Sequence, residues 1–249
     1  MKKNTVLQKL QAGKPSVGSW LNLASPVAAE IMAHHGWDWI VVDTEHSPAD
    51  IFTTNSMFQA ICTTDAIPMA RVAGNDFILI KKLLDAGAMG IVVPMVNSAD
   101  EAARAVQAMK YPPAGIRSAG GGRANLYGPD YQQAANNEIA VILQIEHIKA
   151  VESVHEILQV EGVDACFIGP VDLSKSMGCA IGSQEHEEAV QTVLSAAKEL
   201  GVPPGIHCGS ARDVNMRIDQ GFRFMALSSD VGFLSSAVRK EREHLSDFD

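Results

Sequence analysis

Trp39-Ile40-Val41-Val42-Asp43-Thr44-Glu45-His46 is a run of four apolar residues that opens directly into four polar ones. A strand that is apolar at every position is buried on both faces, as the strands of a parallel sheet are. Val141-Ile142-Leu143 repeats the pattern and opens into Gln144-Ile145-Glu146. Working outward from these runs, eight stretches read as strands: Ser16–Leu21, Trp37–Asp43, Ile67–Arg71, Ala88–Pro94, Ala140–Glu146, Val163–Gly169, Pro204–Cys208 and Phe222–Leu227.

A helical pattern follows each strand. Ser25 caps Pro26–His35, with proline in the first turn. Asn75 caps Asp76–Asp85, and Gly87 ends it. Ser98 caps Ala99–Met109, with Asp100 and Glu101 where the helix dipole favours them. Ser183 precedes Gln184–Leu200, Ser210 precedes Ala211–Gln220, and a last helix covers Gly232–His244. Strand–helix units in series predict an α/β fold, a single (β/α)8 TIM barrel over residues 1–249. An open doubly wound sheet would need a glycine-rich turn after the first strand. That position here reads Trp20-Leu21-Asn22-Leu23-Ala24-Ser25.

The length suits one such barrel, and 47% apolar residues supply a large core. The net charge of −9 argues against nucleic acid or an anionic membrane as partner. Cys62, Cys166, Cys179 and Cys208 form no Cys-x-x-Cys pair, so free thiols in a reducing cytoplasm are expected. No run approaches the roughly 18 apolar residues of a membrane span, and Met1–Gly13 lacks the apolar core of a signal peptide. One segment breaks the rhythm: an insertion near 110–138, carrying a Gly/Arg-rich stretch from Gly115 to Asn125 and a short helix near Pro129–Ala135. A loop this long in a compact domain usually has a function.

Barrel enzymes work at the C-terminal ends of their strands. Glu146 and Asp172 fall at the mouths of neighbouring strands, roughly 4.8 Å apart. Two carboxylates there share a hard divalent cation or stand as exposed carboxylates at helix N-termini, and position alone leaves both readings open. Gln144 shares the parity of Glu146 and needs a hydrogen-bond partner, from substrate or core. Arg71 ends an apolar strand, where its planar fork suits a carboxylate or a developing enolate oxygen. His46 follows Asp43 by three residues, so the carboxylate can orient the imidazole for acid–base work. His207 ends strand 7 and is a weaker candidate. His34, His35, His155, His186 and His244 fall on helices and are expected in solvent, and His147 is expected to face away. Ser210, Ser228 and Ser229 sit where barrels bind anions at helix N-termini, or simply cap those helices. No strand end carries a lysine, which argues against a Schiff-base mechanism.

Asp43-Thr44-Glu45-His46-Ser47-Pro48, Arg71, Gln144-Ile145-Glu146 and Gly169-Pro170-Val171-Asp172-Leu173-Ser174 together resemble the HpcH/HpaI family of class II pyruvate aldolases. Ser229-Asp230 and Gly115-Ile116-Arg117-Ser118 fit as well, and the resemblance runs from about Gly18 to Leu234. It implies a magnesium, manganese or cobalt ion on Glu146 and Asp172. It implies proton transfer by His46 with Asp43, and pyruvate binding by Arg71 and Gln144, with Ser229 and Asp230 also at the substrate. It further implies a homohexamer in which the last helix is exchanged between subunits. The implied reaction is reversible cleavage of a 4-hydroxy-2-oxo acid to pyruvate and an aldehyde through the pyruvate enolate. Alternatives are an oxaloacetate decarboxylase or macrophomate-synthase-like enzyme using the same enolate, a CoA-thioester lyase, and a non-catalytic ring-forming binding protein. In an oligomer, Arg117 and Arg123 of the insertion are placed to reach a neighbouring subunit's site.

Overall fold

The strand pairing of the computed structural model, which describes residues 1–245, is parallel at every step and closes on itself. The strands run in order: β1 (Ser16–Leu21), β2 (Trp39–Asp43), β3 (Ile67–Arg71), β4 (Gly90–Val93), β5 (Ala140–Ile145), β6 (Ala165–Ile168), β7 (Pro204–Cys208) and β8 (Phe224–Ser229). All eight expected strands form, with ends displaced by no more than two residues. Residues 246–249 of the expected domain lie outside the described residues. Among the described residues no helix is long and apolar enough to cross a membrane.

Around the barrel lie α2 (Pro26–Ala33), α3 (Ile51–Ile61), α4 (Phe77–Ala86), α5 (Ala99–Met109), the short pair α7 (Ile148–Glu152) and α8 (Val154–Leu158), α9 (Pro170–Met177) with α10 (Gln184–Leu200), α11 (Ala211–Gln220) and α12 (Asp230–Glu243). The insertion forms a 3₁₀ turn at Arg123–Tyr127 and α6 (Tyr131–Glu138). A helix without a sequence expectation, α1 (Thr5–Gln11), plugs the N-terminal end of the barrel. Asn4 caps it, accepting from the N–H of Val6 and Leu7, and Val6, Leu7 and Leu10 join the barrel interior.

Side-chain alternation sorts every strand. Ile40, Val42, Ile91, Val93, Val141 and Leu143 face the helices. Trp39, Val41, Ile67, Met69, Val92, Ile142, Phe167 and Phe224 fill the barrel. Trp39 stacks on Phe224 at 4.3 Å between ring centroids. That stack fits because β1 carries Gly18 opposite it. A β-carbon there would lie 2.1 Å from Trp39 Cδ2 and 2.4 Å from the Trp39 carbonyl oxygen.

Four sequence expectations change. Asp76, not Asn75, caps α4, accepting from Ile78 and Leu79 N–H, while the Asn75 side chain donates to the Glu101 carbonyl. His186 is buried, not solvated. It faces Pro170 O at 3.0 Å and accepts from Gly182 N–H, tying α10 to the start of α9. Arg117 does not reach outward. It is 1% exposed, bonded to Asp85 and the Tyr131 hydroxyl, with its guanidinium 4.6 Å from the Tyr111 ring. Arg123 likewise turns to its own chain, donating to the Tyr127 hydroxyl at 3.1 Å. Within the chain both arginines tie the insertion to α4, through Asp85 and the Ala86 carbonyl.

Gly18→Ala is expected to destabilise the fold by roughly 3 kcal/mol, the upper part of the usual overpacking range, because a ring and a backbone oxygen both stand in the way. The shift in urea midpoint at constant m-value measures it.

Candidate functional site

Inward parity carries a set of polar and aromatic residues to the C-terminal mouth: Trp20 on β1 and Asn22 just after it, Asp43 on β2, Arg71 on β3, Gln144 on β5, Phe167 on β6 and Gly169 just after it, and His207 on β7. With Ser229 and Asp172 they line a cavity of about 240 Å³. Ser229 gets there by an irregularity. The β1–β8 register shifts between Gly18 and Trp20, and Ser228 adopts φ 52°, so Ser229 takes the inward place. Ser229 also caps α12, accepting from Gly232 N–H.

Arg71 and Asp43 form the centre. Nε donates to Asp43 Oδ1 at 2.9 Å and Nη2 to Oδ2 at 2.6 Å. Asp43 is fully buried and also accepts from Asn22 Nδ2 at 2.7 Å and from the N–H of Glu45 and His46. Burial alone would raise its pKa, but the Arg71 bonds and charge, aided by the two N–H groups, hold the carboxyl below its usual range. The guanidinium lies 4.7 Å over the Trp20 ring, whose face favours the cation.

The expected Asp43–His46 contact takes another form. Asp43 holds the backbone of His46, while the ring, with its side chain 61% exposed, faces the Glu45 carboxylate at 3.7 Å. Glu45 links His46 to Arg71, with Oε2 at 3.2 Å from Arg71 Nε. That oxygen is buried and has no hydrogen-bond partner. Burial raises the Glu45 pKa against the opposing charges of Arg71 and His46.

Glu146 is buried at the end of β5. Met95 N–H donates to Oε1 at 2.8 Å, and Gln144 Nε2 donates to Oε2. Burial raises its pKa despite both bonds. Gly169 closes over this carboxylate, and a β-carbon there would lie 2.7 Å from Oε2. Three residues on, Asp172 stands in the first turn of α9, its side chain 44% exposed and 3.2 Å from Lys175 Nζ. Among the described residues no group of three or more His, Cys, Asp or Glu side chains converges as a ligand set. A cation held by Glu146 and Asp172 would complete its shell from water and ligand, as magnesium-type ions do. The donors fit. Both are hard oxygen ligands, the bonded Glu146 oxygens keep free lone pairs, and the buried Gln144 Oε1 and Glu45 Oε2 lack partners that ordered water or ligand would supply.

Asp230 differs from its expected place at the substrate. It is buried, and its carboxylate accepts from the N–H of Asn22, Leu23 and Val231. His207, the weaker sequence candidate, lies in the cavity wall. Burial, reinforced by the Arg71 charge, pushes its pKa down to about 4. Glu45, Trp20, Asn22 and Phe167 had no sequence expectation. Parity was the available signal for Trp20, Asn22 and Phe167, which alternate inward on strands already identified.

Known proteins share this arrangement of chain. The profile of the HpcH/HpaI aldolase/citrate lyase family matches residues 16–237. A 4-hydroxy-2-oxo-heptane-1,7-dioate aldolase from Shigella flexneri is 40% identical over 242 residues, covering 94% of this chain and 90% of that protein. The crystal structure of an HpcH/HpaI aldolase/citrate lyase family protein from Burkholderia cenocepacia J2315 superposes with TM-score 0.93 at 36% identity, covering 97% of this chain and 98% of that one. An HpcH/HpaI aldolase from Desulfitobacterium hafniense DCB-2 gives TM-score 0.90 at 33% identity over the same shares.

His207 binds no proton in the folded chain until pH approaches 4, whereas an unfolded histidine binds one below about 6.5. Between those values the unfolded state holds more protons, so this residue lowers stability as pH falls. The loss is fully developed near pH 4 and amounts to roughly 3 kcal/mol at most. Denaturant melts at pH 7.5 and 5 should show a smaller acid loss in His207→Leu than in the parent.

Proposed function

The chain belongs to the HpcH/HpaI aldolase/citrate lyase family, and from that premise we propose that it is a divalent-metal-dependent aldolase, a lyase that reversibly cleaves a 4-hydroxy-2-oxo acid to pyruvate and an aldehyde. The observation that carries this reading is a largely buried arginine, bonded to Asp43, in a cavity wall that also holds Asp172 and Gln144, whose amide bonds Glu146. Arg71 binds the anionic end of a 2-oxo acid and stabilises charge on an enolate oxygen. Glu146 and Asp172 hold the cation, magnesium, manganese or cobalt, which polarises the 2-oxo carbonyl when bound.

Each neighbouring group then has a task. Asp43 fixes the guanidinium through two bonds, with Glu45 beside the same Nε. Gln144 positions Glu146 with its amide N–H and leaves Oε1 for the ligand side. Trp20 and Phe167, whose rings meet edge to face at 5.6 Å, exclude water from one wall. His46 stands at the open rim beside Glu45 and moves the proton of the C4 hydroxyl through water. Loss of that proton breaks the C3–C4 bond, releases the aldehyde and leaves the enolate, which takes a proton at C3 to become pyruvate. Ser229, the β8 register partner of Trp20, hydrogen-bonds the bound acid from beside that ring.

The site works in an oligomer. From Leu234 to Leu245 every residue of the last helical segment is exposed. Leu234 and Val238, 56% and 60% exposed, form part of a stripe with Val231 and Leu245 at helical spacing. An uncovered stripe of this kind is a surface for a second copy, and exchange of α12 between subunits of a homohexamer covers it.

Two measurements test these statements. Exchange of the pyruvate methyl protons for deuterium, driven by Mn²⁺, should stop with chelator and fall at least about 10²-fold in Glu146→Gln, the scale of losing a charge-stabilising group. Unaltered exchange in Glu146→Gln overturns the reading. Leu234→Glu combined with Val238→Glu should yield a smaller particle by light scattering, and an unchanged mass at micromolar concentration rejects the role of the stripe.

A further inference from the structure

Asp230 is the first residue of α12, yet most of its hydrogen bonds go elsewhere. Oδ1 accepts from Asn22 N–H at 2.8 Å as well as from its neighbour Val231, and Oδ2 accepts from Leu23 N–H at 3.1 Å. The carboxylate thus clasps the loop after β1 to the start of α12, 208 positions apart in sequence. Asn22 continues the connection. Its side chain donates to Asp43 Oδ2 at 2.7 Å, the same oxygen that receives Arg71 Nη2 at 2.6 Å. Asp230, Asn22, Asp43 and Arg71 therefore form one unbroken series from the last helix to the guanidinium.

Backbone conformation on both sides of the clasp supports a positioning role. Ser228 has φ 52° and Ala24 has φ 50°, values that residues with a β-carbon adopt only when the surroundings hold them there. One lies two residues before Asp230 and the other directly follows Leu23. Ser19 Oγ, which donates to the Leu227 carbonyl, and the Ser25 cap also act beside these bends, but only the Asp230 carboxylate joins the two and fixes the Asn22 backbone.

We propose that Asp230 is a positioning residue for the Asp43–Arg71 pair. It acts by fixing the Asn22 backbone so that the Asn22 amide holds one oxygen of Asp43, and it touches neither the 2-oxo acid nor the cation. The inference rests on the role of Arg71 stated above. It also makes the seating of the last helix a determinant of the catalytic arginine, since Asp230 and Val231 begin that helix.

The test uses the full chain with Asn22→Ala, Asp230→Ala, Asp230→Asn and the Asn22→Ala/Asp230→Ala double variant. Asn22→Ala keeps the backbone N–H and hence the clasp, and removes only the amide. Methyl-proton exchange of pyruvate with Mn²⁺ gives turnover and KM, Mn²⁺ titration gives cation affinity, and light scattering gives the assembly state. Asp230→Ala should lower turnover on the order of 10²-fold, as misplacement by about an ångström does, with Mn²⁺ affinity and particle mass unchanged. The double variant should be no slower than the slower single variant, because both act through one connection. Asp230→Asn keeps the oxygen that serves two of the three N–H groups, so it should recover part of the turnover. This variant and Asn22→Ala carry the test if Asp230→Ala does not fold. Losses that multiply in the double variant, turnover equal to the parent, or a loss that follows Mn²⁺ affinity or dissociation instead, each overturn the proposal. Arg71→Lys separates the two levels: if it exchanges at the parental rate, the role of Arg71 is wrong, whereas a strong loss there beside a normal Asp230→Ala rejects the positioning role alone.

Discussion

A closed ring of parallel strands gives each strand residue two choices, toward the barrel axis or toward the helices, and closure fixes that choice for all eight strands together. In an open sheet a slip of one residue at an edge is local. Here it would turn Trp39 outward, break the stack on Phe224, and empty the space that Gly18 leaves for the ring. The same parity that packs Trp39, Val41 and Ile142 inside places Asp43 and Gln144 at the mouth, since the polar ends continue the inward face of their own strands. Core and site are thus two ends of one pattern.

Charge at that mouth is unbalanced. Asp43, Glu45 and Glu146 act on the largely buried Arg71 guanidinium, and Asp172 adds a fourth carboxylate at the same mouth. Arg71 neutralises Asp43 almost alone, with two direct bonds, and the excess falls on Glu45 and Glu146, both of which burial pushes toward the protonated form. An anionic oxo acid gains little from entering such a field unaided. A divalent cation cancels two of the three excess negative charges, relieves the carboxylates and offers the acid a positive centre. The proposed cation agrees with the residues already present, and a lysine in its place would cancel only one charge.

The barrel was legible because double-sided burial leaves continuous apolar runs and because helix caps punctuate them. The polar strand ends were legible for the same reason. What escaped reading depended on tertiary partners. Arg117 and Arg123 look like free cations in a glycine-rich loop, but Asp85 and the Ala86 carbonyl of α4 receive them from another segment, beside the insertion's own Tyr111, Tyr127 and Tyr131. His186 looks like a solvated helical histidine until Pro170 O comes to it from α9. Glu45 continues the inward parity of Asp43 but lies beyond the end of β2, where alternation no longer fixes a side chain. Asp230 reads as part of a motif, and its motif neighbour Ser229 does line the cavity. Only the approach of the β1 loop shows that the carboxylate serves backbone N–H groups.

Strain marks where these tertiary constraints are concentrated. Among the described residues, three without the freedom of glycine adopt positive φ: Ala24, Met95 and Ser228. All three follow or end strands on the C-terminal face, and none lies at the opposite end of the barrel. Each has a local consequence at the site. Met95 turns its N–H onto Glu146 Oε1, Ser228 shifts the β8 register so that Ser229 faces inward, and Ala24 closes the loop that presents Asn22. Each bend costs on the order of 1–3 kcal/mol. A glycine in these places would remove the strain and also the restraint, because it would let the loop take other conformations with no penalty. A carboxylate acts beside each bend: Glu146 accepts from Met95 N–H, and Asp230 accepts from Leu23 N–H just before Ala24 and stands two residues after Ser228. The same carboxylates that balance charge in the mouth or anchor its loops thereby also decide the backbone geometry on which the guanidinium and the cation ligands depend.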